Sequence, residues 1–168
     1  LSDAVPDPLT PPKTLPRVLI VTWEYPPLIE GGLARHVRKL AEALVGLGVE
    51  VHVLTRGGEQ ATVEERMAGV QIHRIVEPER PTDLGEFVTW VERMNADMLA
   101  AGVELGDRYD FDLVHGHDWL VAGACDHLAL RVGEQVREEE RGLVQVASRR
   151  HLVERGRLRA VRHVQPVR

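Results

Sequence analysis

The sequence has a single cysteine and no apolar run approaching the roughly 18 residues that a membrane-spanning helix needs. Because Cys125 is alone, an internal disulfide is excluded, and a reducing cytoplasm is the expected compartment. The N-terminus also lacks the basic-then-apolar layout of a signal peptide. A net charge of −5 over 168 residues gives no reason to expect a nucleic acid or an anionic membrane as partner.

The chain divides by composition into three parts. Residues 1–16 carry half of the prolines and predict a disordered or extended tail. Residues 17–130 alternate between strand-like and helix-like patterns, and their number suits one α/β domain with a real core. Residues 131–168 contain 10 arginines, a Glu138–Glu140 cluster and no aromatic residue, so they are treated as an atypical tail.

The domain opens with a strand–helix–strand pattern. Residues 17–23 form a nearly continuous apolar run, as in a parallel strand covered on both faces. A helical spacing follows, Gly48 stands where a helix C-cap is expected, and residues 49–55 form a second strand. The order predicts a right-handed βαβ unit in a Rossmann-like parallel sheet with flanking helices. The predicted apolar stripe of the helix is Leu33, Val37, Leu40, Leu44 and Leu47.

Later elements continue the alternation. A strand is predicted over residues 70–76 after a turn at Gly69, and a helix over residues 83–106 with Thr82 or Asp83 as its cap. Residues 112–117 predict a further strand, and residues 119–130 its helix. The expected apolar face of the helix over residues 83–106 is Phe87, Val91, Met94, Met98 and Val103.

Two adjacent glycines, Gly31 and Gly32, separate the first strand from the first helix. A helix N-terminus exposes backbone N–H groups and a partial positive charge, which favour an anion. The absence of a Cβ atom lets a phosphate or a sugar hydroxyl approach the backbone closely. The alternative is that the glycines only make a tight turn.

A second candidate segment, His115-Gly116-His117-Asp118-Trp119-Leu120, follows another predicted strand and therefore lies at the same sheet edge. Its polar groups can bond to hydroxyls, and the indole can stack on a sugar ring. A metal site is a rival interpretation, although it requires further ligands from later strands. A structural interpretation has Asp118 capping the next helix and Trp119 packing in the core.

The stretches "WEYPPLIEGGLARHV" (residues 23–37) and "DLVHGHDWL" (residues 112–120) together resemble the N-terminal domain of retaining GT-B glycosyltransferases of the family 4 type. That group contains glycogen and starch synthases and bacterial α-glucosyltransferases. The resemblance covers residues 17–130. It implies two Rossmann-like domains facing each other across a cleft, with the acceptor held mainly by this one.

The resemblance also implies roles for individual residues. Gly31 and Gly32 would offer backbone N–H groups to the donor phosphate, and His117 and Asp118 would be catalytic residues beside the transferred sugar. The remaining substrate-binding positions would be Glu24, Tyr25, Trp119 and Arg35. The implied reaction transfers a hexose, expected to be glucose, from an ADP-, UDP- or GDP-hexose to a glucan or other saccharide. The anomeric configuration of the sugar is retained. No metal and no cofactor besides this donor is implied.

Two departures from the family pattern affect these expectations. Ile29 stands where glycogen and starch synthases usually have a lysine, so the donor base stays open. Residues 131–168 hold no strand with the T-x-H segment that the family carries next. Our preferred hypothesis is that this tail is out of frame and the domain truncated. A chain with one wall of the cleft is then expected to transfer no sugar at a useful rate.

Two other function classes remain as alternatives. A non-catalytic module could bind saccharide with the edge formed by residues 117–119. A dinucleotide-dependent enzyme on a similar fold ranks last, because it needs G-x-G-x-x-G and an acidic residue at the end of the second strand, whereas this strand ends in Thr55-Arg56.

Overall fold

The computed structural model describes residues 15–57 and 64–133, so the predictions for segments 1–16 and 131–168 fall almost wholly outside the described residues. In chain order the elements are strand β1 (Arg17–Thr22), helix α1 (Leu33–Gly46), strands β2 (Glu50–Arg56), β3 (Glu65–Met67) and β4 (Val70–Ile75), helix α2 (Leu84–Arg108), strand β5 (Leu113–His117), a 3-10 turn (Trp119–Val121) and helix α3 (residues 122–133).

The strands form one sheet in the order β3-β4-β2-β1-β5. Strands β4, β2, β1 and β5 are parallel, and β3 pairs with β4 antiparallel. The predicted α/β fold and its βαβ unit are therefore confirmed. Strand β3 was not predicted because three residues show no measurable period; it joins β4 through a turn in which Ala68 and Gly69 have φ values of +49° and +85°.

The sheet is covered on both faces, which explains the continuous apolar runs of its central strands. On one face α1 packs over Val18, Ile20, Val51 and Val53. On the other face α2 packs over Leu19, Val21 and Leu54. Successive residues of β1 and β2 thus enter different cores, so neither strand shows the polar alternation of a half-exposed sheet.

Helix α1 buries the predicted stripe only in part. Its buried residues are Ala34, Val37 and Ala41, while Leu33 and Leu44 are only partly buried and Leu47 is exposed beyond the helix end. Small alanine side chains let the helix lie close to the sheet, and the larger leucines flank this contact. The expected C-cap is confirmed, because Gly48 follows the cap residue Leu47 with φ +82°.

Helix α2 begins where predicted, with the Asp83 side chain accepting hydrogen bonds from the N–H groups of Gly85 (2.7 Å) and Glu86 (3.2 Å). Met94 and Met98 are buried as predicted, and Trp90 and Leu105 complete the centre of the buried face. The other predicted residues, Phe87, Val91 and Val103, are only partly buried at its margins. Neither α2 nor any other helix of the described residues combines the length and apolar content needed to cross a membrane.

A buried histidine pair lies on the α2 side of the sheet. His52 Nδ1 and His73 Nε2 are 3.0 Å apart, and His52 Nε2 lies 3.0 Å from Glu50 Oε1. Burial, with a smaller contribution from the charge of His52, lowers the pKa of His73 from 6.5 to about 4. Burial also lowers the pKa of His52, against the opposing hydrogen bond and charge of Glu50. The fold therefore holds both imidazoles neutral at pH 7.

We expect acid to destabilise the chain through His73 before most carboxylates titrate. The unfolded chain protonates this residue near pH 6.5 and the folded chain near pH 4, so the unfolded state binds more protons between these values. The free energy of unfolding should fall by about 3 kcal/mol as the pH is lowered from 6.5 to 4. Above pH 6.5 His73 is neutral in both states, and this loss of stability is absent.

Urea unfolding at a series of pH values checks this expectation. The variant His73→Gln should show a shallower slope between pH 6.5 and 4, and His127→Gln, at an exposed site, should match the unmodified chain. An unchanged slope in His73→Gln would contradict the assignment.

Candidate functional site

The two candidate segments follow neighbouring strands. Strands β1 and β5 pair in parallel, with Thr22 opposite His117, so the two segments that follow these strands leave the sheet at its carboxyl edge. One continues through residues 23–32 into α1, and the other through Asp118 into the 3-10 turn. The expectation that the glycines and the histidine segment share one sheet edge is confirmed.

Glu24 holds the connection between β1 and α1 rather than facing outward. Its side chain is only 7% exposed, and Oε2 accepts hydrogen bonds of 2.9 Å from the N–H groups of both Glu30 and Gly31. The Gly31 N–H, expected to face a donor phosphate, is therefore bonded to Glu24 in this structure. Glu24 thus lies under the connection.

Gly32 is the N-cap of α1 and has ordinary helical torsion angles, φ −76° and ψ −19°. No side chain caps this terminus, and the first turn holds no acidic residue. A Cβ atom at Gly32 would meet no atom within 4 Å, and one at Gly31 would lie 3.7 Å from Glu24 Oε1, an ordinary contact. Glycine at position 32 is required neither by its backbone torsion angles nor by packing against the described residues. A tight turn therefore does not explain why this residue is a glycine.

Tyr25 departs from its predicted role. Its side chain is 0% exposed and packs in the core between α1 and the sheet, with Val37 and Ala41. Burial, reinforced by the charge of Glu42, raises the pKa of its phenol. The expectation that the Tyr25 side chain contacts a substrate does not fit this structure, because the chain turns it inward after β1.

The histidine segment is partly as predicted. Asp118 Oδ1 accepts a hydrogen bond of 3.2 Å from the Leu120 N–H, so the capping interpretation is confirmed. The φ of Asp118 is +86°, an unusual value for a residue with a side chain, and such local strain is typical of functional positions. The indole of Trp119 is 55% exposed, so the expectation that it packs in the core is wrong.

His36 connects the two segments. Its ring lies 5.7 Å from that of His117, which in turn is 4.3 Å from the ring of His115. Arg35, the predicted ligand, is exposed on the first turn of α1. His36 was not among the predicted site residues; its position one helical turn after Gly32 was the available signal, because such a residue lies above the same sheet edge.

A comparison with known protein families identifies the chain. The glycosyl transferase 4-like domain matches residues 31–167, which is most of the sequence. The chain belongs to this glycosyltransferase family. The match extends through residues 131–167, the segment in which we expected the family pattern to be lost; the origin of that tail stays a prediction.

This glycosyl transferase 4-like chain has several similar relatives. It is 42% identical over 105 residues to an uncharacterized glycosyltransferase of Methanocaldococcus jannaschii, covering 62% of this chain and 25% of that protein. It is 38% identical over 125 residues to a glycogen synthase of Mycobacterium tuberculosis, covering 67% and 30%. Sucrose-phosphate synthase from Thermosynechococcus elongatus aligns with a TM-score of 0.48 and 19% identity, over 73% of this chain and 30% of that structure. The chain thus spans less than a third of the relatives' length.

Two buried arginines of this glycosyltransferase domain were missed by sequence reasoning. Arg56 ends β2, and its Nε donates to the Trp23 carbonyl oxygen at 2.9 Å. Arg74 in β4 donates to the carbonyl oxygens of Tyr25 and Pro26. Both therefore bind the connection that leads to the glycines. A charged residue at the end of an otherwise apolar strand was the signal for Arg56, although its partners could not be read from spacing.

The metal interpretation gains no support from the structure. Among residues 15–57 and 64–133, no group of three or more His, Cys, Asp or Glu side chains is arranged to hold a metal ion.

Removing the Glu24 carboxylate should destabilise the domain. In Glu24→Ala, the N–H groups of Glu30 and Gly31 lose the acceptor of two partly buried hydrogen bonds, and we expect the free energy of unfolding to fall by about 2 kcal/mol. Glu42→Ala is the control: it removes a partly exposed ion pair with Arg38 and should cost much less. Chemical denaturation measures both, and equal losses would contradict the holding role of Glu24.

Proposed function

We propose that this domain forms one wall of a hexose-transfer site, in a protein that moves glucose from a nucleotide sugar to a glucan or other saccharide with retention. The family supplies the class of reaction. The glycogen synthase relative supports glucose and a glucan as substrates. Because the chain spans 25% to 30% of the first two relatives, the complete reaction and its second wall belong to the proposal.

The observation that carries this proposal is the open space above Gly32. A side chain there would meet nothing within 4 Å, and the backbone would accept one. An occupant from outside the described residues accounts for a bare backbone at an uncapped helix N-terminus. A donor phosphate has the charge and the hydrogen-bond acceptors that this terminus favours.

In the proposed site the N–H of Gly32 and the first turn of α1 contact the donor phosphates. As the glycosidic bond breaks, the departing nucleoside diphosphate gains negative charge, and fixed backbone dipoles stabilise that charge better than they stabilise the ground state. The N–H of Gly31 is assigned a smaller part than expected, because Glu24 already accepts it.

The second segment would hold the sugar. His117 and Asp118 lie across from the end of β1 and can bond to sugar hydroxyls, while the exposed face of Trp119 can stack on a pyranose ring. Binding at several points orients the sugar relative to its acceptor, which is a large part of catalysis in group transfer.

A non-catalytic saccharide-binding module is the second candidate, and the exposure of Trp119 favours it. The two functions differ in their ligands. The transferase wall binds a nucleotide sugar at Gly32, whereas the module binds a glucan at Trp119 without a nucleotide.

Replacing Gly32 by alanine should separate binding from folding. We expect Gly32→Ala to change the free energy of unfolding by less than about 1 kcal/mol, because its Cβ meets no atom within 4 Å. It should weaken nucleotide-sugar binding about tenfold or more, because the Cβ occupies the space of the phosphate. The affinity is measured from amide NMR spectra recorded during titrations with ADP-glucose, UDP-glucose and GDP-glucose.

Gly46→Ala is the matched control, since a Cβ at Gly46 also meets nothing within 4 Å but lies at the far end of α1. It should bind like the unmodified chain. Equal affinities for the two alanine variants would argue against a phosphate at Gly32. Binding of maltooligosaccharides with no response to any nucleotide sugar would favour the module.

A further inference from the structure

The guanidinium of Arg56 joins both ends of the connection between β1 and α1. Arg56 is 3% exposed, and its Nε donates to the carbonyl oxygen of Trp23, the first residue after β1. One terminal nitrogen donates to Glu30 Oε1, the side chain directly before Gly31. The other donates to Glu77 at 2.7 and 2.9 Å. One rigid group thus ties the start of the connection to its end.

The contact geometry depends on arginine rather than on positive charge alone. The guanidinium is planar and carries its donors at fixed angles, so bonds to three partners fix their relative positions. Its centre also lies 4.9 Å from the centroid of the Trp23 ring, which limits rotation of the group. A lysine ammonium at the same place would keep the charge without spanning the same partners.

Arg74 and Arg80 do not duplicate this link. Arg74 binds the middle of the connection, at the carbonyl oxygens of Tyr25 and Pro26. Arg80 donates to Glu30 Oε1 at 2.9 Å, but it is about half exposed, and its guanidinium lies over the Trp90 ring, 5.4 Å from the ring centroid, rather than against Trp23. Arg56 alone among these three bridges Trp23 and Glu30.

We propose that Arg56 is a positioning residue for Gly31 and Gly32: it sets the place of the glycine backbone above the sheet edge by holding Trp23 and Glu30 together. The role rests on the proposed function, in which that backbone contacts the donor phosphate. Arg56 is buried behind the connection and acts through Glu30 rather than by touching the ligand.

Amide hydrogen exchange and ligand titration of the same 168-residue chain test this role. In Arg56→Lys, the amides of Glu30 and Gly31 should exchange about tenfold faster, beyond any change shared by the core amides of β1 and β2, as expected for a local opening. Affinity for the best-bound of ADP-glucose, UDP-glucose and GDP-glucose should fall at least about fivefold. Glu77→Gln, which leaves both contacts of Arg56 with the connection, should change each quantity less than about twofold.

Glu30→Gln reaches the same contact from its exposed side and serves if Arg56→Lys does not fold. It should change exchange and affinity in the same direction. In the double variant with Arg56→Lys it should change exchange and affinity little further, because the effects of two substitutions that break the same contact are not additive. Arg80→Gln, which removes only the exposed partner of Glu30, should leave the amides of Glu30 and Gly31 protected.

The two readouts distinguish failure of this inference from failure of the proposed function. Unchanged exchange in both Arg56→Lys and Glu30→Gln would overturn the positioning role, since exchange needs no ligand. Faster exchange with unaltered affinity would overturn it as well. An unmodified chain that binds none of the nucleotide sugars would overturn the proposed function and, with it, the link between Arg56 and the ligand.

Discussion

Parallel pairing of β1 with both β2 and β5 is the constraint on which the site depends. Parallel strands cannot be joined by a hairpin, so the chain crosses over after each one and leaves the sheet at the same carboxyl edge. The helix after β1 therefore begins beside the turn after β5, and the end of β2 lies on the other side of β1. Residues far apart in sequence, such as Gly32, Arg56 and His117, are brought to one edge by backbone pairing alone.

The order of elements was predictable because the features that determine it are local. An apolar run, a glycine with positive φ at position 48 and the cap at Asp83 each act within a few residues. The buried faces of the helices were less predictable. In α1 the contact is made by Ala34 and Ala41, whose small side chains contribute little to an apolar pattern dominated by leucine. Packing distance, which no periodicity reports, decided which stripe is buried.

The site shows the same division between local and distant causes. The Asp118 side chain caps the following turn by accepting a hydrogen bond from the Leu120 N–H, and the sequence indicated this role. The inward orientation of Glu24 and Tyr25 was not predictable, because the chain leaves the strand there and the alternation of faces ends. Arg56 binds Trp23 and Glu30, 33 and 26 positions away, and such partners become visible only when the sheet is assembled.

Charge balance explains how an anion could bind at an edge so rich in carboxylates. Glu24 is bonded to two backbone N–H groups, and Glu77 is paired with Arg56. Burial raises the pKa of Glu30, but the hydrogen bond and charge of Arg56, together with Arg80, outweigh it and hold that pKa below its ordinary value. Glu30 thus remains ionised and paired. These carboxylates are therefore compensated by their own partners. The partial positive charge of the uncapped α1 terminus faces the open space at Gly32. A phosphate there would be attracted by the helix terminus and would not be repelled by unpaired carboxylates.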